Sequence, residues 1–338
     1  MRVLHHLNTS DLNGIPEEAR HAESLGYDSL CTEETAHDPF FPLLLAATTT
    51  SSVTLETRVA IAFPRSPMVV AYTAMDLQNF SEGRFRLGLG TQVKGHIERR
   101  FSTEWGSPGP RLRDYVQSLH AIWETWQDDK KLDYHGDFYN FSLMTPFFNP
   151  GSTPSGAPPV FISALNPYNC QVAGEVCQGI ALHPITSAKY LTEVIKPNLA
   201  KGARIAGRDP EEIILAGSGF VISGTDQETI NTRKEAVRRQ IAFYFSTRTY
   251  FPVLETHGFE EVGQKLHELS LKGEWDRMAG LINDEMLDTF AVIGPHDEVA
   301  GRIKERFGGL LDEVVLTTVA NSPVDEEAVP KIIEELHS

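Results

Sequence analysis

The residues of this chain that could do chemistry gather at the ends of short apolar runs. In order they are His5 and His6; Glu33, Glu34, Thr35 and His37; Ala60 to Arg65; Thr91 to His96; Ser163 to Asn166; His183; Ser218; and Thr317. Carboxyls and imidazoles suit general acid and base work, because partial burial can tune them toward neutral pH. No Ser/His/Asp order or paired-carboxylate spacing is specific enough to name a hydrolase. The H-x-H and H-E-x-x-H patterns are missing, so no metal site is expected. His5 and His6 alternate on one strand, so one of them faces inward, as a core histidine or as a functional one. Glu33 and Glu34 read equally as a solvated loop or helix cap and as catalytic groups. His183, just before Pro184, ends its strand squarely.

One stretch, "FRLGLGTQVKGHIERR" from Phe85 to Arg100, holds Gly88, Gly90 and Gly95 beside a basic run. It is not a dinucleotide fingerprint, because Val93 stands where G-x-G-x-x-G needs its third glycine. From Lys94 to Asp114 there are five basic residues (Lys94, Arg99, Arg100, Arg111, Arg113) against three acidic ones, in a chain of net charge -16. That contrast reads either as a solvated helical face or as a rim that collects an anionic cofactor or substrate.

The elements that position these residues repeat along the chain. Short β-branched runs alternate with segments of helical period, the pattern of βα units around a parallel sheet. Strands are expected at "RVLHHL", "YDSLCT", "VTLETRVAIAF", "RFRLGLG", "PVFIS", "GIALHP", "IILAGSGFVIS" and "EVVLTTV". Eight strands with intervening helices make a (β/α)8 TIM barrel, whose active sites lie at the C-terminal strand ends. In "RLRDYVQSLHAIWETWQ", Leu112, Val116, Leu119 and Trp123 recur at helical spacing and read as core. Two segments break the rhythm, at about 132–158 and 247–287, and read as insertions on the barrel rim. The whole chain, 1–338, is expected to be one domain.

Composition narrows the function. The acidic balance argues against general nucleic-acid binding and against docking on an anionic membrane. Three cysteines without C-x-x-C spacing argue against a disulfide framework or zinc site, and a reducing compartment fits better. The opening "MRVLHHLNTSDL" has no apolar signal core, and no apolar run approaches the roughly 18 residues of a membrane helix, so a cytoplasmic location is expected.

On these motifs the chain resembles a known family. "RVAIAFPRSPMVVAYTAMDLQNFSEGRFRLGLGTQ" looks like the signature of the bacterial luciferase-like superfamily. "GYDSLCTEE" and "VFISALNPYNCQVAGEVCQGIALHP" match its second-strand and fifth-to-sixth-strand elements. Within it the chain is similar to the F420-dependent oxidoreductases, through "FPRSP", "GTQVKGH" and "LMTPFFNP". The resemblance implies a barrel holding F420 or FMN at its C-terminal face, with a non-prolyl cis peptide near Arg58 and Val59, ahead of Ala60, against the cofactor ring. It implies cofactor-phosphate contacts from Ser163, Ala164, Leu165 and Asn166, and from His183. FMN-using relatives place an arginine after the fourth strand, where this chain has Thr91 and Gln92, which favours F420 over FMN. F420-dependent glucose-6-phosphate dehydrogenases carry a histidine and a glutamate where this chain has Thr35 and about Val93, which argues against sugar-phosphate oxidation.

The resulting expectation is an oxidoreductase that transfers hydride between C5 of F420 and a small-molecule substrate. Glu34 is the first choice of general acid or base, followed by His37 or His96. An FMN-dependent monooxygenase is the second reading, and a non-catalytic cofactor-binding barrel the third. The resemblance and the apolar surface of "FFPLLLAAT" and "MVVAYTAMDLQNF" together predict a homodimer.

Overall fold

The structure, a computed structural model, describes residues 1–217, 219–316 and 324–338. Eight short parallel strands close on themselves: β1 Arg2–His6, β2 Ser29–Thr32, β3 Thr54–Thr57, β4 Phe85–Gly90, β5 Val160–Ser163, β6 Gly179–Ala181, β7 Ile214–Ala216 and β8 Glu313–Val315. Neighbours pair in chain order, and β8 returns to β1 with Arg2 opposite Glu313. The fold is therefore a (β/α)8 TIM barrel. All four residues of β2 and all six of β4 are buried, as strands covered on both faces must be.

The helices that cover the barrel include α1 Ile15–Ser24, α2 Phe40–Ala47, α3 Pro67–Phe80, α4 Pro108–Asp128, α5 Pro167–Val176, α6 Lys196–Ile205, α7 Gln227–Phe245, α8 Val299–Phe307 and α9 Val329–His337. Six carry proline at a first-turn position that needs no amide donor, and α3, α4 and α5 begin on it. The expected core stripe of α4 is buried at Leu112, Val116, Leu119 and Trp123, and the Trp123 indole donates to the Ala71 carbonyl of α3 at 3.2 Å.

Two strands differ from their expected form. "VTLETRVAIAF" is divided: β3 ends at Thr57, the Arg58–Val59 peptide is cis, and Ala60–Ile61 pairs separately with β4. "IILAGSGFVIS" is two strands, because Gly217 turns at φ +115, where a side chain is strained. Only Ile214–Ala216 enters the barrel. Phe220–Gly224 pairs outside it with Ala291–Pro295, a strand to which the sequence reading gave no element. Ser218 and Thr317, with the end of "EVVLTTV", lie outside the described residues.

The first insertion carries a small hairpin, Tyr134–His135 with Asn140–Phe141. Asp114 of α4 holds it: one carboxylate oxygen accepts from the Phe138 amide at 2.6 Å and the Tyr139 amide at 3.0 Å, and the other accepts from the Tyr134 hydroxyl. The second insertion is largely helical, with Phe251–Glu255, Glu260–Leu271 and Trp275–Met278.

Candidate active site

The C-terminal strand ends form the mouth of the barrel, and its floor is built from charge. Glu56 and Arg86 face each other across β3 and β4, and Arg86 continues to Glu313 of β8, with donor–acceptor distances of 2.9 to 3.0 Å. Arg58 bonds Glu56 at 3.0 Å from the mouth side, and Arg2 approaches Glu313 to 3.3 Å from the far end. The result is an alternating ladder of three arginines and two glutamates. All but Arg2 are at most 6% exposed in their side chains. Buried charges of this kind persist only when fully paired, and each of these is.

Gly88 and Gly90 belong to this construction. A Cβ at Gly88 would lie 1.9 Å from the Thr57 carbonyl oxygen, and one at Gly90 would lie 2.6 Å from a Val59 methyl. The Thr57 hydroxyl donates to the Gly88 carbonyl at 2.7 Å and accepts from the Gly88 amide at 2.9 Å. These glycines make room for the neighbouring strand at its cis peptide, with Val59 half-buried and Ala60 buried.

Side chains alternate across a strand, and β1 and β2 sort their polar residues accordingly. His5 points outward, 3.0 Å from Glu18 of α1, and packs on Tyr27. His6 points inward, and burial plus the Arg58 cation hold its pKa down at about 3. Thr32 turns outward to donate to the Pro39 carbonyl. Cys31 and Glu33 share the inward side: burial and the Glu56 and Glu33 charges push the Cys31 thiol well up, leaving it inert.

Glu33 and Glu34 have different surroundings. Glu34 turns aside, and its carboxylate accepts from Arg65 Nη1 at 2.7 and 2.9 Å and from the Ile61 amide at 2.6 Å. Arg65 also reaches Asp38 at 3.0 Å, so Glu34 ties the loop after β2 to the segment after the cis peptide. Glu33 has no hydrogen bond or ion pair among the described residues. It is exposed at the mouth, and the protein around it withdraws enough water to raise its pKa above the usual carboxylate value.

His183, two residues past β6, lies beside the rings of Tyr244 and Tyr250, with centroids 4.5 and 4.7 Å away. Burial and the Arg58 cation hold its pKa down at about 3. Both tyrosines come from α7 and the turn that follows it. Sequence reading did not select them, because nothing in "IAFYFSTRTYF" distinguishes mouth aromatics from core ones. Ser163 to Asn166 lead from β5 into α5, whose first turn is capped by the Asn166 side chain accepting from the Asn169 amide at 2.9 Å. Ala164 is buried, and the Leu165 carbonyl accepts from the Tyr190 hydroxyl. Thr91 and Gln92 follow β4 half-buried, with Gln92 at φ +55.

His37 and His96 are exposed on the loops around the mouth. Of the five basic residues between Lys94 and Asp114, two are committed within the fold. Arg111 bonds the Tyr139 hydroxyl and the Glu104 carbonyl and stacks on Phe63, while Arg113 pairs with Glu175 of α5. Lys94, Arg99 and Arg100 stay exposed. Lys94 lies 3.7 Å from Glu98, and Arg100 donates to the Thr35 carbonyl, which brings the loops after β2 and β4 together. A cavity of about 260 Å³ between Leu199, Leu215 and Asp312 lies at the opposite end of the barrel. Among the described residues no cluster could hold a metal ion, and no helix is long and apolar enough to cross a membrane.

Comparison with known proteins agrees with this fold. An uncharacterized protein of Mycobacterium tuberculosis (strain H37Rv) is 46% identical over 300 residues, covering 89% of this chain and 88% of its own. The 5,10-methylenetetrahydromethanopterin reductase of Methanolobus tindarius is 26% identical over 329 residues, 95% of either chain. The coenzyme F420-dependent tetrahydromethanopterin reductase of Methanopyrus kandleri has the same fold. It superposes with a TM-score of 0.79 over 99% of this chain and 98% of that one, at 19% identity. The family model described as luciferase-like monooxygenase matches residues 2–313, from the first barrel strand to the start of the last. By that match the chain belongs to the luciferase-like monooxygenase family.

Proposed function

We propose that this protein is an F420-dependent oxidoreductase, acting on a small organic substrate through one chain-long barrel domain. The observation that carries the reading is the edge of the mouth after β4. Thr91 and Gln92 stand there without an arginine, and Lys94, Arg99 and Arg100 are exposed just beyond. Similarity to F420-dependent reductases over almost the full chain supports the same choice. F420, when bound, supplies hydride carriage at its C5.

The residues present fit such a group. Arg58 and Val59, with Ala60, would back the ring, and Thr91 and Gln92 would flank it. Ser163, Ala164, Leu165 and Asn166, at the start of α5, would offer backbone amides to the phosphate, where the helix dipole favours an anion. His183 adds a side-chain contact. An acidic tail meets a protein of net charge -16, so local cations must receive it, and Lys94, Arg99 and Arg100 are placed to do so. Glu33, the unpaired carboxyl of the mouth, holds or moves the proton that accompanies hydride transfer. Glu34 fixes the loop beneath it, and His37 and His96 stand at the rim as alternative proton carriers.

Fluorescence titration with F420 and FMN tests the reading. F420 should bind more tightly, its affinity should fall with added salt, and charge reversal at Lys94 or Arg99 should weaken F420 more than a tailless analogue. Tight FMN binding with no measurable F420 affinity would replace this reading with a flavin monooxygenase. Binding of F420 without turnover of any acceptor would leave a cofactor-binding barrel.

A further inference from the structure

We infer that Arg58 is a positioning residue: wired through the core to the end of β6, it sets His183 as a neutral imidazole with its one proton on Nε2, a fixed hydrogen-bond donor for the ligand of the mouth. The Arg58 side chain is 6% exposed and crosses the barrel interior from β3 to the opposite wall. Its guanidinium donates to Glu56 at 3.0 Å, to the Ala216 carbonyl at 2.7 Å and to the Leu182 carbonyl at 3.3 Å. Leu182 immediately precedes His183, so the bond that fixes Arg58 also fixes the backbone from which the imidazole projects. The opposite wall is shaped to admit the guanidinium. Gly217, the residue after β7, has φ +115, and a Cβ there would stand 2.2 Å from Arg58 Nη2.

Burial disfavours the charged ring, and two contacts then decide its state. His183 Nδ1 accepts from the Ile185 amide at 3.3 Å, so that nitrogen cannot carry a proton. The Arg58 cation opposes a second proton on the imidazole, as any like charge within a few ångströms does. Nε2 thus carries the proton and has no partner among the described residues. The groups facing the ring are the Arg58 guanidinium and the Tyr244 and Tyr250 rings, with Glu33 beyond Tyr244. Neither tyrosine supplies an acceptor charge in the neutral range, since burial raises both phenols, that of Tyr250 to about 12. A neutral donor suits an oxygen that must be held without neutralising its charge. That use of His183 rests on the proposed function, whereas the protonation state does not.

The test is nitrogen NMR of labelled histidines in the ligand-free protein. Wild type should show His183 as the neutral Nε2–H tautomer from pH 8 down to 5, with about one ring in a hundred protonated at pH 5. Arg58→Met should raise the protonated fraction at pH 5 about tenfold, and Arg58→Lys should restore the wild-type pattern. If Arg58→Met does not fold, Gly217→Ala displaces the guanidinium while keeping its charge in the chain, and should move the titration the same way. An unchanged tautomer and titration in a folded variant overturns the inference, as does a wild-type ring protonated on Nδ1. F420 titration of the same proteins separates the two claims. Wild type with the expected tautomer and no F420 affinity refutes the cofactor reading alone. Equal F420 affinity in wild type and a folded His183→Phe variant refutes the role of His183 as the ligand's donor.

Discussion

The two adjacent glutamates at the end of β2 should respond in opposite ways to the same substitution. Glu34→Gln keeps an oxygen for the Ile61 amide but turns an NH2 group toward Arg65 and removes the charge from a pair whose side chains are 6% and 21% exposed. Removing one partner of a fully buried pair costs about 3 to 5 kcal/mol. Arg65 keeps Asp38 and some solvent, so about 2 to 3 kcal/mol is the expected loss here. Glu33→Gln removes a carboxyl with no partner, and stability should stay within about 0.5 kcal/mol. Its sign is fixed by linkage. The folded-state pKa of Glu33 is raised, so the native state holds this proton more tightly, and the associated stability is lost as pH rises through the raised value. The variant should therefore be equal to or slightly more stable than wild type at pH 7. Turnover reverses the order. A group that moves a proton in the transition state contributes about 100-fold to 10,000-fold, so Glu33→Gln should lower kcat by at least about 100-fold with KM little changed, and one limb of the pH profile should vanish. Urea unfolding gives the first comparison, and steady-state rates with any acceptor that supports turnover give the second. Normal turnover in Glu33→Gln, together with its loss in a stable Glu34→Gln, would transfer the proton to Glu34 and refute the reasoning.

Gly88→Ala should destabilise by about 3 kcal/mol or more, because its Cβ meets a backbone carbonyl that cannot withdraw. Gly90→Ala should cost about 1 to 2 kcal/mol and be relieved by Val59→Ala, both read from urea midpoints. Stability should fall as pH drops below 6.5, by up to about 1.4 kcal/mol per pH unit for each of His6 and His183, because their folded-state pKa values near 3 leave the unfolded chain binding more protons. Substituting His183 by Gln should flatten that slope in unfolding measured between pH 7 and 5, and an unchanged slope would count against its depressed pKa. We propose a homodimer through an apolar face in which Phe41, Val69, Phe80, Leu143 and Phe147 are 53 to 89% exposed, with the Tyr72 hydroxyl bonded to the Phe148 carbonyl to seat the loop beside α3. Light scattering at micromolar concentration should give twice the chain mass, and Phe147→Asp with Val69→Asp should halve it. A monomeric wild type would reject the interface.

The barrel was legible in the sequence because short strand runs alternate with helices that carry a clear apolar stripe, such as that of α4. Where the sequence reading failed, geometry too local for hydrophobic pattern was deciding. Gly217 divides by its φ a run that reads as one strand, and Ala291–Pro295 is a five-residue strand whose partner residues lie 71 positions away. The site divides along the same line. Position at a strand end could be read, so Glu33, Glu34, His6 and His183 all came forward as candidates. What each does depends on which way its strand alternates and on what lies opposite, and those facts belong to the closed barrel. Glu33 and Glu34 are chemically identical neighbours in sequence, yet one residue of pleat sends one carboxylate to Arg65 and the other to the mouth. Arg58 carries the argument furthest. In sequence it is a residue beside an expected cis peptide, while in the fold its guanidinium reaches carbonyls 124 and 158 positions along the chain. Only closure of the barrel brings those carbonyls within its reach, so the electrostatics of the mouth form as a consequence of the fold and could not have been read from any single motif.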